Sequence, residues 1–453
     1  MAFEILGLKS HIVYTMWLLF ILKYERGINM KKSRNKDVII IAFAVFSMFF
    51  GAGNLIFPPY IGLTSGSKWI ISFIGFIFSD VGLILLSIGA IATAGSFKSI
   101  LEKAGNKFGL SLEIIIMLCL GPILIVPRTA ATTFELSIKP LFNSVNPILF
   151  SVIFFSIVLI LTIRPAKVMD ILGKFLTPIL LIALAVLIIK GIISPIGDLN
   201  INIKSTNLFM TGLTQGYQTM DPLGTGGITA LIISSFLSKG YNKKETIGLT
   251  IKSAIIAGTA LTLVYGGLTY LGATASNIYD LNIPQTTLLI DITNNLLGNI
   301  GTIILSIVVA FACITTAIGL TSVTSKYFED ITNKKLKYNY IVIFICTFSA
   351  IISNFGVNKI ISISAPILTI IYPVSIVLIL MSYFRKIFTK NEIYKGAAYA
   401  TLLTSLLTVI NNLGINISFI NKLPFANIGF NWILPAIIGG VIGFIFSQRN
   451  LNH

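Results

Sequence analysis

Apolar stretches of about twenty residues recur along most of this chain, each long enough to cross a bilayer as a helix. Hydrocarbon offers a peptide group no water, so irregular backbone survives at membrane depth only where protein buries it or it lines a polar cavity. Two stretches are irregular all the same. The first is cut by Phe49-Phe50-Gly51-Ala52-Gly53-Asn54-Leu55-Ile56-Phe57-Pro58-Pro59, and the sixth by Gly216-Tyr217-Gln218-Thr219-Met220-Asp221-Pro222-Leu223-Gly224. Paired interruptions in corresponding spans of two halves point to a binding site of the kind membrane carriers build.

Only 11% of the residues are charged and 55% are hydrophobic, whereas a soluble domain is nearer a quarter charged. The expected fold class is an all-α polytopic membrane protein with spans near 38–63, 69–94, 111–136, 147–163, 171–193, 211–237, 246–274, 299–325, 338–354, 360–384, 394–412 and 431–447. The formal charge of +17 would fit a nucleic-acid partner, but its distribution argues for topology instead. Twenty-two lysines and arginines fall in the loops of one side, from Lys31, Lys32 and Arg34 through Lys98, Arg164, Lys239, Lys326 and Arg385 to Arg449. Six fall on the other, namely Lys68, Lys139, Lys190, Lys204, Lys359 and Lys422. That asymmetry is the positive-inside rule, and with twelve spans it puts both termini in the cytoplasm.

Cys119, Cys313 and Cys346 lie inside expected spans without CxxC spacing and read as buried structural thiols. The two histidines, His11 and His453, sit near opposite ends, which argues against a histidine-based catalytic or metal site. No cofactor is expected. A GxxxxGK[ST] loop is absent and the loops are too short for an ATPase domain, so a secondary, ion-coupled mechanism is favoured over an enzyme or an ATP-driven pump. Residues 1–29 carry an apolar run, Ile12 to Leu22, too short to span. Met30 opens the basic run Met-Lys-Lys-Ser-Arg-Asn-Lys-Asp, a natural start before the first span, so 1–29 read as an extension outside the fold.

Spans one to five (38–193) and six to ten (211–384) form two blocks of five. Five is odd, so the blocks have opposite topology, and each opens with an interrupted span. This is the pattern of an inverted repeat, with 394–447 adding two further helices.

A broken helix exposes N–H groups on one half, which suit a carboxylate, and C=O groups on the other, which suit a cation. In the first break Gly51 and Gly53 permit unwinding, Asn54 offers a side-chain oxygen, and Pro58 and Pro59 restrict the outer end. In the second, Tyr217, Gln218, Thr219 and Asp221 crowd into five residues. An aspartate at membrane depth costs about 2.5–3.5 kcal/mol on insertion scales, so Asp221 should face a cavity or a partner, with Lys252 of the seventh span as the structural alternative. Thr315 and Thr316 could offer hydroxyl oxygens to a hard cation or bond the carbonyl a turn back. Arg128 and Glu135, seven residues apart, fall on one helical face and suit either an ion pair or a substrate contact. Asp80 reads as a packing or gating residue.

Several runs occur together in order: FFGAGNLIFPP, GPILIVPRTA (121–130), FEL (134–136), LTPILL (176–181), GYQTMDPL (216–223), YLGAT (270–274), TTAIGLT (315–321) and NFG (354–356). In combination they resemble the branched-chain amino acid carrier family, the bacterial leucine/isoleucine/valine:cation symporters, over about residues 30–450. The resemblance implies a LeuT-type fold of five-plus-five inverted repeats with two extra helices, in the bacterial cytoplasmic membrane. It implies a substrate between the breaks, its carboxylate on N–H groups near Ala52, Gly53 and Asn54 and its ammonium near Tyr217, Gln218, Thr219 and Asp221. It places Na⁺ between carbonyls of Ser47, Phe50 and Ala312 and the hydroxyls of Thr315 and Thr316. Asp221 departs from the leucine-transporter pattern and leaves room for H⁺ as the coupling ion. The implied partners are leucine, isoleucine, valine, Na⁺ or H⁺, and the lipid bilayer, with no nucleic acid. The same fold with another solute, or an ion channel, are the alternatives.

Overall fold

A computed structural model describes residues 34–142, 144–163, 174, 176–202, 207–426 and 429–449. The proposed extension 1–29 and the choice between Met1 and Met30 lie outside the described residues. The chain divides into the units Met1–Asp37 and Val38–His453. Of the first, residues 34–37 are described, and they form the opening turn of a helix.

The described residues are helical, without strands. In chain order the long elements are α1 (Arg34–Phe49), α2 (Ala52–Ser65), α3 (69–94), α4 (Asn106–Ile138), α5 (Pro147–Thr162), α6 (Thr177–Ile193), α7 (Leu208–Tyr217), α8 (Asp221–Ser238), α9 (Lys243–Thr274), α10 (Gln285–Ile331), α11 (Tyr338–Ile352), α12 (Val357–Tyr383), α13 (Asn391–Asn412) and α14 (Ile433–Arg449). Among the described residues seven helical segments are long and apolar enough to cross a membrane, eight if the bent pair α7–α8 is one span. Three further apolar helices, α5, α6 and Ile433–Gln448, are shorter. Outward faces among these helices carry exposed Ile148 and Leu149 of α5, Ile182 and Ile193 of α6, Leu263 of α9 and Phe446 of α14. Such apolar faces are costly in water and suit lipid. This is an integral membrane protein.

Local chemistry sets the ends. Asn242 accepts from Glu245 N at 2.8 Å while Glu245 returns a carboxylate oxygen to Asn242 N at 3.1 Å, a capping box that starts α9. Pro147 occupies the first turn of α5, and Asn146 accepts from Ile148 N at 2.8 Å. At about 1.5 Å per residue, the length of α10 exceeds the hydrocarbon thickness roughly twofold. Gly298 (φ 57°, ψ −146°) divides it into a short first segment and a longer second one.

α2 packs on α9 and α3 on α7 at backbone distance. A Cβ on Gly62 would collide with the Thr269 carbonyl, and one on Gly272 with the Pro59 carbonyl. Gly75 lies equally close to Phe209 and Gly212 to Ser72. Small residues allow such approach where no hydrophobic effect drives helices together in lipid. α13 and α14 pair with each other beside α12.

Candidate functional site

The first interruption lies between α1 and α2. Phe50 N still donates to Phe46 O at 2.7 Å, but Gly51 is extended (φ −114°, ψ −160°) and its N–H goes to Asn54 Oδ1 at 3.2 Å. The ladder stops there, which frees the last carbonyls of α1. Gly51 also passes close to α10: a Cβ there would lie 3.0 Å from Thr316 Oγ1. Pro58 and Pro59 fall within α2 rather than beyond it. Lacking N–H groups, they leave the Asn54 and Leu55 carbonyls without helical partners.

The freed carbonyls meet threonine hydroxyls. Thr315 Oγ1 is 3.0 Å from Ser47 O and 2.9 Å from Ala312 O. Thr316 Oγ1 is 3.2 Å from Ser47 O, 3.4 Å from Met48 O and 3.3 Å from Phe50 O. Each hydroxyl owns one proton, so it can donate to one of these oxygens at a time. Ser47, Phe50, Ala312, Thr315 and Thr316 are thus brought together as a buried nest of uncharged oxygens. That donor set fits a small hard cation held at an unwound helix end. Among the described residues no group of three or more His, Cys, Asp or Glu side chains could hold a metal.

The second interruption lies between α7 and α8, which meet at 46°. Met220 adopts φ 69°, a left-handed conformation uncommon outside glycine. Pro222 stands in the first turn of α8, where a missing N–H costs nothing. Thr219 Oγ1 lies 2.8 Å from Asp80 Oδ1 and 2.7 Å from Gly216 O. Arg128 of α4 reaches across, Nη1 donating to Gln218 O at 3.3 Å and Nη2 to Thr219 O at 3.4 Å. The guanidinium therefore sits on the negative end of α7.

Asn54 joins the two breaks. Its Nδ2 donates to Asp221 Oδ2 at 2.7 Å and to Tyr265 Oη at 2.5 Å. The Tyr265 hydroxyl faces both Asp80 and Asp221. Asp80 projects from a π-helical turn, Phe78–Gly82, inside α3; such turns re-aim side chains and recur at functional sites. Asp80, Asn54, Thr219 and Tyr265 are buried within 1% exposure and Arg128 within 2%, while Asp221 is partly accessible. Ala52 and Gly53 open α2 beside this cluster, and a Cβ on Gly53 would lie 3.2 Å from Arg128 Nη2.

Tyr217 and Gln218 turn elsewhere. The Tyr217 ring packs on Tyr372 (centroids 4.7 Å) and Phe430 (5.9 Å). Both residues line a cavity of about 260 Å³ with Tyr372, Ser405, Asn411 and Asn431. The expected substrate set therefore divides: Asn54, Thr219 and Asp221 converge at the breaks, while the Tyr217 and Gln218 side chains face the α12–α13 side.

Two sequence alternatives differ from what is found. Asp221 pairs with Asn54, and Lys252 is exposed. Arg128 and Glu135 do not share a partner. α4 loses its regular helical phase at the π-helical turn Phe134–Ile138, and Glu135 Oε1 accepts from Val357 N at 3.0 Å, at the start of α12. Asp80 and Tyr265 were not placed among the site residues by sequence. A lone carboxylate in an apolar run marked Asp80, whereas nothing local marks Tyr265.

Residues 34–450 match the profile of the family described as Branched-chain amino acid transport protein. The branched-chain amino acid permease BraB of Bacillus subtilis (strain 168) is 36% identical over 427 residues, covering 91% of this chain and 96% of that one. BrnQ of the same organism, also named a branched-chain amino acid permease, is 34% identical over 434 residues, covering 92% and 98%. Among solved structures, a Na⁺-coupled sialic acid symporter is similar with a TM-score of 0.61 at 14% identity, covering 90% of each chain. A nucleobase-cation-symport-1 family transporter in a closed conformation is similar with a TM-score of 0.62 at 10% identity, covering 91% of this chain and 93% of that one. At these identities the structural likeness shows a shared fold and no more.

Proposed function

The chain belongs to the family of branched-chain amino acid transport proteins, and from that premise we propose that it imports leucine, isoleucine and valine by Na⁺-coupled symport. Its relatives are named permeases and carriers, transporters rather than enzymes. The proposed topology has twelve spans with both termini in the cytoplasm of a bacterial cell. In it α1–α2 and α7–α8 are each one broken span, 38–193 and 211–384 are inverted repeats, and 394–447 supply two added helices. The substrate lies between the breaks, with its head groups against Ala52, Gly53 and Asn54 on one side and Thr219 and Asp221 on the other. Tyr217 and Gln218 line its outer approach. One methylene changes affinity by only ~1–3 kcal/mol, so the three branched-chain amino acids share one site.

The observation that carries Na⁺ coupling is the nest of Ser47, Phe50 and Ala312 carbonyls around Thr315 and Thr316. Na⁺ travels as cargo and ties α1 to α10, so closing that nest completes the first break. A proton-coupled reading rests on a separate observation, the carboxyls of Asp80 and Asp221 facing one another beside Tyr265. Labelled-leucine uptake into proteoliposomes separates the two. Uptake driven by an inward Na⁺ gradient supports the threonine nest. Uptake driven by a proton gradient alone moves the coupling to the carboxyls, and no leucine uptake under either gradient overturns the substrate.

A further inference from the structure

We propose that Arg128 and Asp80 hold the two charged ends of the transported amino acid, the guanidinium taking its carboxylate and Asp80, with Asp221, taking its ammonium. The proposal rests on the substrate reading above and adds two contacts from spans that carry neither break.

The first ground is hydrogen-bond satisfaction. Arg128 Nε and Asp80 Oδ2 are buried without a hydrogen-bond partner among the described residues. One is a donor in need of an acceptor, the other an acceptor in need of a donor. Buried polar groups in native proteins are nearly always paired, and an unpaired charged one is the costliest kind. A zwitterion supplies both missing partners at once, its carboxylate to Nε and its ammonium to Oδ2, which a metal ion does not.

Charge is the second ground. Asp80 and Asp221 set two carboxyls against the single guanidinium of Arg128, and the other groups facing them, Thr219, Asn54, Tyr265 and Tyr372, bring no cation. Apart from the guanidinium, no cation competes with an ammonium for these carboxyl oxygens.

Placement is the third. Arg128 Nη2 stands 3.2 Å from where a Gly53 Cβ would lie, so a carboxylate on the first N–H groups of α2 meets the guanidinium as well. Its present bonds to Gln218 O and Thr219 O, at 3.3 and 3.4 Å, are long for a charged donor, which prefers about 2.7–2.9 Å. Those carbonyls are ones an ammonium also seeks, so an arriving ammonium relieves the guanidinium of them and frees it for the carboxylate.

The test pairs variants with substrate analogues. 3-Methylbutylamine is leucine without its carboxylate, and 4-methylpentanoate is leucine without its ammonium; each is measured as a competitor of labelled leucine in proteoliposomes. Arg128→Gln should weaken leucine by about tenfold or more while leaving competition by 3-methylbutylamine unchanged. Asp80→Asn should weaken leucine similarly while leaving 4-methylpentanoate unchanged. If each variant weakens leucine and both analogues by one common factor, the residues only support the fold and the proposal fails. It fails equally if Arg128→Gln leaves leucine affinity intact. Arg128→Lys, which keeps the charge and loses the guanidinium fork, carries the same comparison where the glutamine variant does not fold. A wild type that takes up another amino acid but not leucine would refute the branched-chain reading instead, and the comparison then runs on that amino acid's own two analogues.

Discussion

Replacing Gly272 by alanine adds one methyl group to α9 at the point where its backbone meets α2. The new Cβ would lie 2.7 Å from Pro59 Cα and nearer still to the Pro59 carbonyl, where ordinary contact needs 3.4 Å or more. Backbone cannot rotate aside as a side chain can, so α2 and α9 must part, and overpacking of this kind costs about 1–3 kcal/mol. The same substitution at Gly248, nearly seven turns earlier on the same helix, meets nothing within 4 Å. There only the helix-propensity gain of up to about 1 kcal/mol remains. Gly248→Ala should therefore raise the thermal midpoint of the detergent-solubilised protein and Gly272→Ala lower it. Membrane proteins of this size unfold irreversibly, so the midpoints are compared at one scan rate and the sign is the readout. A Gly272→Ala protein as stable as Gly248→Ala would refute the close packing of α2 on α9.

Three other outcomes follow from the geometry. Thr316→Ala removes the hydroxyl that faces the Ser47, Met48 and Phe50 carbonyls, so the Na⁺ concentration that half-saturates leucine uptake should rise at least about tenfold. Thr316→Ser should keep it near wild type; equal Na⁺ dependence in all three proteins would remove Na⁺ from this nest. Asn54→Ala strips a donor from both Asp221 and Tyr265 at a cost of about 1–3 kcal/mol for the unpaired groups. Uptake should be lost with expression retained, and normal uptake would separate Asn54 from the site. Asn242→Ala breaks both arms of the α9 capping box and should lower stability by about 1 kcal/mol with uptake per folded molecule unchanged; an unaltered thermal midpoint would count against it.

How much of this was legible beforehand depended on the range of the signal. Apolar runs reveal helices because the bilayer dictates their length, and glycine, proline and asparagine mark Gly51–Asn54 because those residue types do something local to the backbone. By themselves the threonines of α10 were visible only as a motif; their placement against Ser47 and Phe50 came from the family resemblance, because it rests on a crossing of helices more than 260 residues apart in sequence. Tyr265 illustrates the limit. A tyrosine in a membrane helix is unremarkable by itself, and its contact with Asn54 arises from how α9 lies against the breaks. The Arg128–Glu135 spacing does not name partners: Arg128 reaches the Gln218 and Thr219 carbonyls and Glu135 the start of α12, on a helix with π-helical turns on either side of Arg128. The expected eighth span, 299–325, starts directly after the break at Gly298 that divides α10.

The glycine contacts between α2 and α9, and between α3 and α7, bear on how motion in this protein can be observed. Helices touching through their backbones have no side chains between them to absorb sliding, so each pair travels as one piece. A pair of spin labels placed across α2 and α9 is then a fixed baseline whose separation should hold whatever ions or solutes are added. Labels joining α1 to α10 span the threonine nest instead, and that is the ruler on which a change of state would register.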